Sequence, residues 1–236
     1  MPEGDFTRLG DGLAGGFYTS REAARLLRIS SVRRVQGWVF GYANAAGPVL
    51  AGDYAADTSG RVLSFWDLIE VRFLEYFRAT GIPLQTLRKI AVKARGDLGV
   101  RHPFAIHNTR FISDRKTIFQ RVASEAGDET TLNMANSQYE MYEAIEQSLA
   151  KDVVFDPTSG LARQFRPVPE LANVYVHPRF AFGHPVIGAK GIPTAALTRM
   201  WKAEDGNSAR VAKAFDIDTA DVEEAVAFEH ALALAA

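Results

Sequence analysis

Two short amphipathic stripes, separated by a break of only a few residues, constrain this chain more than any other feature. Thr19-Ser20-Arg21-Glu22 has the spacing of a capping box, in which a hydroxyl caps an early backbone amide and the carboxylate three residues on reaches back. Behind it Ala23, Leu26 and Leu27 fall at i, i+3 and i+4 on one face and leave Arg21, Arg25 and Arg28 to the other. Ile29-Ser30-Ser31 interrupts the helix and offers a second cap. Val32, Val35 and Val39 then make a new apolar stripe beneath Arg33, Arg34 and Gln36. The spacing predicts two short helices joined by a tight turn, with five arginines against one acid.

In a helix-turn-helix the second helix enters the major groove of DNA. There Arg33 or Arg34 can donate two hydrogen bonds to a guanine and Gln36 can address an adenine. Ser20, Arg21 and Ser31, at the helix starts, are the candidate phosphate-positioning groups. A plain pair of packed helices with a solvated basic face has the same periodicity, so the stripes alone leave both readings open.

The remainder of the chain is mixed. Residues 1–16 hold five glycines and no hydrophobic period, which reads as a loose leader. Gly41 to Gly60 is rich in Gly, Ala, Asn and Asp around Pro48-Val49-Leu50, a pattern for a small hairpin or an irregular extension. Ser64 and Asp67 suit a helix start, and Phe65, Leu68, Ile69, Phe73, Tyr76 and Phe77 follow a helical stripe that stops at Gly81. Pro83 opens another helix, with Leu84, Leu87, Ala91 and Ala94 inward and Arg88, Lys89, Lys93 and Arg95 outward. Short apolar runs predict a hairpin from Arg110–Ser113 to Thr117–Val122 and a second one from Val153–Phe155 to Leu161–Phe165 across Asp156–Gly160. A strand is expected at Val174–Val176. Tyr139, Tyr142, Ile145 and Leu149 mark an acidic helix between them, over about 136–149. Three helices close the chain: Thr194 to Ala203, Ser208 to Phe215 behind Asn207, and Thr219 to Leu234 behind Asp218.

Composition removes several classes of function. There is no cysteine, which excludes disulfides, thiolate zinc sites, iron-sulfur clusters and cysteine nucleophiles. No apolar run is long enough to span a membrane, and the first residues are too acidic and polar for a signal peptide, so a cytoplasmic location and no membrane partner are expected. The net charge of −1 conceals an asymmetry: residues 1–121 carry 18 basic and 11 acidic side chains, residues 122–236 carry 9 and 17. Such polarity suits a chain whose first half meets a polyanion.

Nothing in the sequence proposes catalysis. His102 and His107 are separated by a proline, and His177 and His184 flank a Pro- and Gly-rich turn. Neither pair has metal-ligand spacing, so no metal and no cofactor are expected. No nucleophile elbow, phosphate loop or dinucleotide fingerprint is present. Asp67 with Glu70, and Glu223 with Glu224, read as caps and solvated helix faces. The enzyme reading therefore reduces to a hydrolase with an unrecognised site around His102, His107 and His184.

The segment FYTSREAARLLRISSVRRVQGW resembles the opening helix-turn-helix of MerR-type winged-helix regulators, and Leu63-Ser64-Phe65-Trp66-Asp67-Leu68-Ile69 resembles the helix after the wing, which makes residues 41–62 the wing. His177-Pro178-Arg179, Phe182-Gly183-His184-Pro185-Val186-Ile187 and Gly191-Ile192-Pro193-Thr194, followed by Gly206, Val211-Ala212, Asp221-Val222 and Ala225, are similar to a small three-helix domain of bacterial antitoxins. The order of the two modules resembles VapB-type antitoxins, whose toxin is a PIN-domain ribonuclease. The resemblance implies an operator-binding antitoxin that represses its own operon and neutralises a toxin. A stand-alone MerR-like regulator without a toxin is the alternative.

Two departures qualify that likeness. Ala189-Lys190-Gly191 stands where the three-helix domain usually reads Gly-Thr-Arg, so the arginine and any anion contact it made are missing. Residues 191–236 carry four basic and eight acidic side chains, which disfavours a groove-reading role for this part and suits assembly or partner binding. The expectation is thus an α+β, mainly α, non-enzymatic protein: a winged helix-turn-helix over 17–100, a mixed segment over 101–176 and a three-helix domain over 177–236. One recognition helix covers a half-site, so a homodimer is expected, with the Phe65–Phe77 helix and the Tyr139, Tyr142 stripe as candidate contacts.

Overall fold

The computed structural model describes residues 15–42, 47–54, 61–79, 81–107, 117, 118, 121, 122, 124, 125 and 151–234. The fold is α+β and mainly α, with helices joined to small antiparallel sheets. The elements are β1 (Tyr18–Thr19), α1 (Ser20–Leu26), α2 (Val32–Phe40), β2 (Val62–Leu63), α3 (Phe65–Ala79) and α4 (Leu84–Leu98). They continue with β3 (Val153–Phe155), β4 (Ala162–Phe165), β5 (Val174–Tyr175), β6 (Val186–Ile187), β7 (Ile192–Pro193), α5 (Thr194–Ala203), α6 (Ser208–Phe215) and α7 (Thr219–Leu234). Among the described residues no helix is long and apolar enough to cross a membrane.

Local chemistry sets the helix ends. Thr19 Oγ1 accepts from the Glu22 amide at 3.2 Å, and Glu22 Oε2 accepts from the Thr19 amide at 2.7 Å, which completes the capping box of α1. At the other end Arg28 takes a left-handed backbone, φ 55°. The amide of Ile29 then reaches Ala24 O and that of Arg28 reaches Arg25 O, the paired bonds of a Schellman turn. Ile29 and Ala24 are both buried across that turn. Three residues later Ser31 Oγ caps α2 by accepting from the Arg34 amide. The tight turn is therefore built from capping bonds at both of its ends.

β1 pairs antiparallel with β2, Tyr18 opposite Leu63 and Thr19 opposite Val62, so the chain between α2 and α3 must leave and return beside the start of α1. The described part of that excursion, residues 47–54, is irregular rather than a hairpin. Val49 and Leu50 are buried, and both of their amides donate to Trp38 O. Arg88, Arg95 and, beyond α4, Arg101 donate to the carbonyls of Gly47, Val49 and Gly52, so two of the four basic residues expected on the exposed side of α4 are turned onto this segment. Gly15 and Gly16, expected in the leader, are buried, and Gly15 O accepts from the Phe65 amide.

The expected strand over Thr117–Val122 is corrected: residues 117, 118, 121, 122, 124 and 125 are helical. Ile118 and Val122, four residues apart, are both buried while Arg121 is exposed, so the run follows a period of 3.6 rather than 2. Arg110–Ser113 and the Tyr139, Tyr142 helix lie outside the described residues. The second hairpin forms, β3 against β4 with a bulge at Val154/Phe155, and Asp156 Oδ1 closes its turn by accepting from the Thr158 and Ser159 amides. It docks on α3: Trp66 Nε1 donates to Ala162 O at 2.9 Å, and Arg72 pairs with Asp152 at 3.0 Å while lying over the Phe165 ring.

At the carboxyl end β5, β6 and β7 form a meander that leads into α5, α6 and α7, whose bounds match the sequence pattern. Lys190, where the resembling domain has a different residue pattern, holds Asp216 at 2.7 Å and so ties the β6–β7 turn to the end of α6. The turn at 181–184 packs onto the first strand: Phe17 N donates to Phe182 O at 3.0 Å and Tyr18 Oη to Gly183 O at 2.7 Å. One contiguous apolar cluster runs from Tyr18 to Phe228. The Phe65–Phe77 stripe proposed as a dimer contact is used inside it, with Phe65, Leu68, Ile69, Phe73, Leu74 and Phe77 all buried.

Gly37 offers a test of the packing around α2. A Cβ at this position would collide with the Tyr42 ring, which folds back over the helix. In an open helix Gly→Ala stabilises by about 1 kcal/mol. Here Gly37→Ala is expected to destabilise, and the same change in a Tyr42→Ala background is expected to regain the ordinary sign. Urea unfolding of the four proteins of this cycle measures the difference.

Candidate functional site

The six residues assigned to nucleic-acid contact fall into three environments. Arg21 and Arg33 are exposed, and Arg28 joins them at the turn between the helices. Gln36 is half-buried and follows Arg33 by three positions, so the two share the outward face of α2, opposite buried Val35 and Val39. Ser31 is half-buried and its hydroxyl caps α2, which leaves it at the surface edge of that helix start.

Arg34 is engaged elsewhere. Its Nη1 lies 2.8 and 3.0 Å from the two carboxylate oxygens of Glu75 on α3, with the arginine 41% and the glutamate 31% exposed. A pair so open to water contributes at most about 1 kcal/mol, so it positions the side chain without locking it. Ser20 is a correction. Its side chain is only 4% exposed and its Oγ has no hydrogen-bond partner, because this first helical position turns inward beside Ala23 and Ala24. Phosphate cannot reach it from outside. The neighbouring Thr19 and Arg21 hold the exposed positions at that helix start.

A second constellation escaped the sequence reading. Asp67 and Glu70 on α3, Asp53 in the segment after α2 and His102 after α4 converge in one buried cluster. His102 Nε2 lies 3.0 Å from Asp53 Oδ1, and Nδ1 lies 3.3 Å from Glu70 Oε2 and 3.9 Å from Asp67 Oδ1. Asp67 does act as a cap, accepting from the Ser64 and Asp53 amides through Oδ2, while its own amide donates to Ser64 Oγ. Glu70, expected on a solvated face, is fully buried and accepts from the Phe104 amide at 3.2 Å. The available signal was its place in the run Leu68, Ile69, Val71, Phe73, Leu74, where a charge sits among inward apolar positions.

The electrostatics follow from that burial. Desolvation alone would lower the His102 pKa, but hydrogen bonds to Asp53 and Glu70 and their negative charges outweigh it and push it up to about 10. Burial raises Asp67 to about 6 against the opposing pull of His102. Asp53 moves the other way: burial opposes its ionisation, but the hydrogen bond and charge of His102, with Arg101 beside it, hold its carboxyl below the usual range. His102 is thus a buried cation between carboxylates.

His107 stacks on Phe155, and His184 is exposed in the turn that carries Gly183.

No family model matches the chain, and no curated protein matches it. Among solved structures, the crystal structure of Rv2018 from Mycobacterium tuberculosis is similar, with a TM-score of 0.66 at 20% identity, covering 89% of this chain and 96% of that chain. At that identity the likeness is one of fold.

The two kinds of ion pair predict different costs. Glu70→Ala removes the acceptor of the buried Phe104 amide and one of the carboxylates around the His102 ring, which keeps Asp53, and should lose about 1–3 kcal/mol of stability. Arg34→Ala, which opens an exposed pair, should change stability by no more than about 1 kcal/mol. Chemical denaturation of both variants measures the contrast.

Proposed function

We propose that this chain is a sequence-specific DNA-binding regulator that acts as the antitoxin of a type II toxin-antitoxin pair, repressing its own operon as a homodimer and neutralising a PIN-type ribonuclease toxin. The observation that carries the DNA-binding reading is the outward face of the capped helix pair. Arg21 stands at the start of α1, and Arg33 with Gln36 stands on α2, over a buried apolar seam. These are the residue types that grip phosphate and read guanine and adenine edges in the major groove. The basic excess of residues 1–121 supplies the long-range attraction to a polyanion.

The antitoxin reading rests on the resemblance of the two motif-bearing ends and on the acidic second half. A ribonuclease presents basic groups where RNA binds, and an acidic surface complements it. Within the three-helix part, Asp218 and Glu223 are exposed, whereas Glu224 accepts from Asn173 and Asp216 pairs with Lys190. Asp205, Asp218 and Glu223 are exposed and lie outside these contacts, and the last two stand close together at the start of α7. The acidic helix with Glu140, Glu143 and Glu146 lies outside the described residues.

Gel shifts on the DNA upstream of the protein's own gene test the first half of the proposal. Arg33→Ala should cost about 1–3 kcal/mol and relax preference at one base pair, while Arg21→Ala should weaken binding to all sequences alike. Glu75→Gln, which releases Arg34, should strengthen binding to any duplex and steepen its salt dependence. Unchanged affinity in an Arg21→Ala, Arg33→Ala double variant would overturn the DNA-binding reading.

Co-expression with the neighbouring gene product tests the second half. Asp218→Lys with Glu223→Lys should weaken neutralisation and flatten its salt dependence, since screening acts on exposed charges. A neighbouring product that is no ribonuclease, with operator binding intact, would leave a stand-alone regulator.

A further inference from the structure

We propose that Asp53, Asp67 and His102 form a binding site for a first-row divalent transition-metal cation, with Glu70 orienting the imidazole. The three side chains come from three separate segments, and one ligand atom from each lies within 4.8 Å of the others. Bonds of about 2.0–2.2 Å around one tetrahedral ion put ligand atoms about 3.3–3.6 Å apart, so side-chain movements of roughly an ångström would close the site.

The independent observation is a pair of orphaned oxygens. Asp53 Oδ2 and Asp67 Oδ1 are buried without any hydrogen-bond partner. The side chains that carry them are 3% and 0% exposed. Asp67 Oδ2 is held by the amides of Ser64 and Asp53, which fixes the carboxylate plane and leaves Oδ1 on the imidazole side, 3.9 Å from Nδ1. An imidazolium has two N–H groups, and here they face Asp53 Oδ1 and Glu70 Oε2. Arg101 Nε also reaches Asp53 Oδ1, at 2.8 Å, rather than Oδ2. The imidazole, 3.9 Å from Asp67 Oδ1, attracts that oxygen without hydrogen-bonding it, and buried carboxylate oxygens without donors are unfavourable. A metal ion accepts several such oxygens at once.

Glu70 completes the arrangement. Its Oε1 is anchored by the Phe104 amide and its Oε2 accepts Nδ1–H, so a bound ion would displace the Nε2 proton that faces Asp53 in the metal-free chain, and that proton would leave to solvent. A carboxylate behind a ligating histidine is the usual device for setting the ring and its tautomer. One imidazole nitrogen with carboxylate oxygens suits Zn(II), Mn(II), Co(II) or Fe(II). Ca(II) and Mg(II) favour all-oxygen sets, and the chain has no cysteine for softer metals. The bound ion would fasten the segment carrying Asp53 to α3 and to the chain leaving α4.

The test uses the untagged full-length chain, stripped with chelator and dialysed, and titrated with Co(II) while its visible d–d absorption is followed. The expected result is saturation at one Co(II) per chain, displacement by Zn(II), and a higher melting temperature with Zn(II) than after chelation. Asp53→Asn and His102→Gln should each weaken Co(II) binding about 10-fold or more, with circular dichroism confirming retained helix, while Arg33→Ala binds as the parent does. Asp53 lies outside the helices, so Asp53→Asn keeps the test decisive if His102→Gln does not fold. Absence of a Co(II) spectrum in the parent chain, or parental affinity in Asp53→Asn, overturns the proposal.

Discussion

The polar side chains of α3 hold several distant segments of the chain, and the rest of the structure depends on that. Trp66 donates to β4, Asp67 accepts from Ser64 and Asp53, Glu70 meets His102 and Phe104, Arg72 pairs with Asp152, and Glu75 pairs with Arg34 of α2. Between them Phe65, Leu68, Ile69, Val71, Phe73, Leu74 and Phe77 are buried. A charge taken out of water is unfavourable by several kcal/mol unless its partner is in place. Each segment must therefore arrive at its own position along α3 before the helix can be covered. Apolar burial supplies the drive, and these few directional contacts exclude other placements of the same segments.

That organisation bears on how α2 is presented. The helix-turn-helix is short, nine residues in α2 and seven in α1, and helices of that length are marginal without tertiary packing. Their orientation is set from behind by the Trp38 ring in the core, by the amides of Val49 and Leu50 on Trp38 O, and by Glu75 on Arg34. The outward face is left to Arg33 and Gln36. Arg34 stands at the boundary between the two faces, bound to α3 through an exposed pair that contributes at most about 1 kcal/mol.

What was legible in the sequence was local. Capping residues name their own helix ends, so Thr19, Ser31 and Asn207 placed the starts of α1, α2 and α6 correctly. The Asp156–Gly160 turn, with its Asp side chain accepting from two amides just ahead of it, placed the second hairpin. Thr117–Val122 failed because a short run with two apolar residues four apart satisfies strand composition and helix period together, and burial decides between them. The His102 cluster failed for a different reason. Asp53, Asp67 and His102 are separated by 14 and 35 residues of chain, and periodicity carries no information about which segments meet across a core. Ser20 shows the same limit at one residue: the capping pattern located the helix start but not which way the position after the cap turns.

The opposite charges of the two halves do not separate them into independent modules, because backbone contacts join one to the other. The 181–184 turn has positive φ at Ala181, Phe182 and Gly183, and it presents the carbonyls of Phe182 and Gly183 to Phe17 and Tyr18. Burial pushes the Tyr18 hydroxyl pKa up, so it stays protonated as a donor across the ordinary pH range. A Cβ at Gly183 would strike that hydroxyl, so the approach is as close as the backbones allow. Tyr18 lies in β1, directly before the capping box of α1. A turn in the acidic half is thus hydrogen-bonded to a strand of the basic half, and the start of α1 cannot be displaced from β2 without disturbing both.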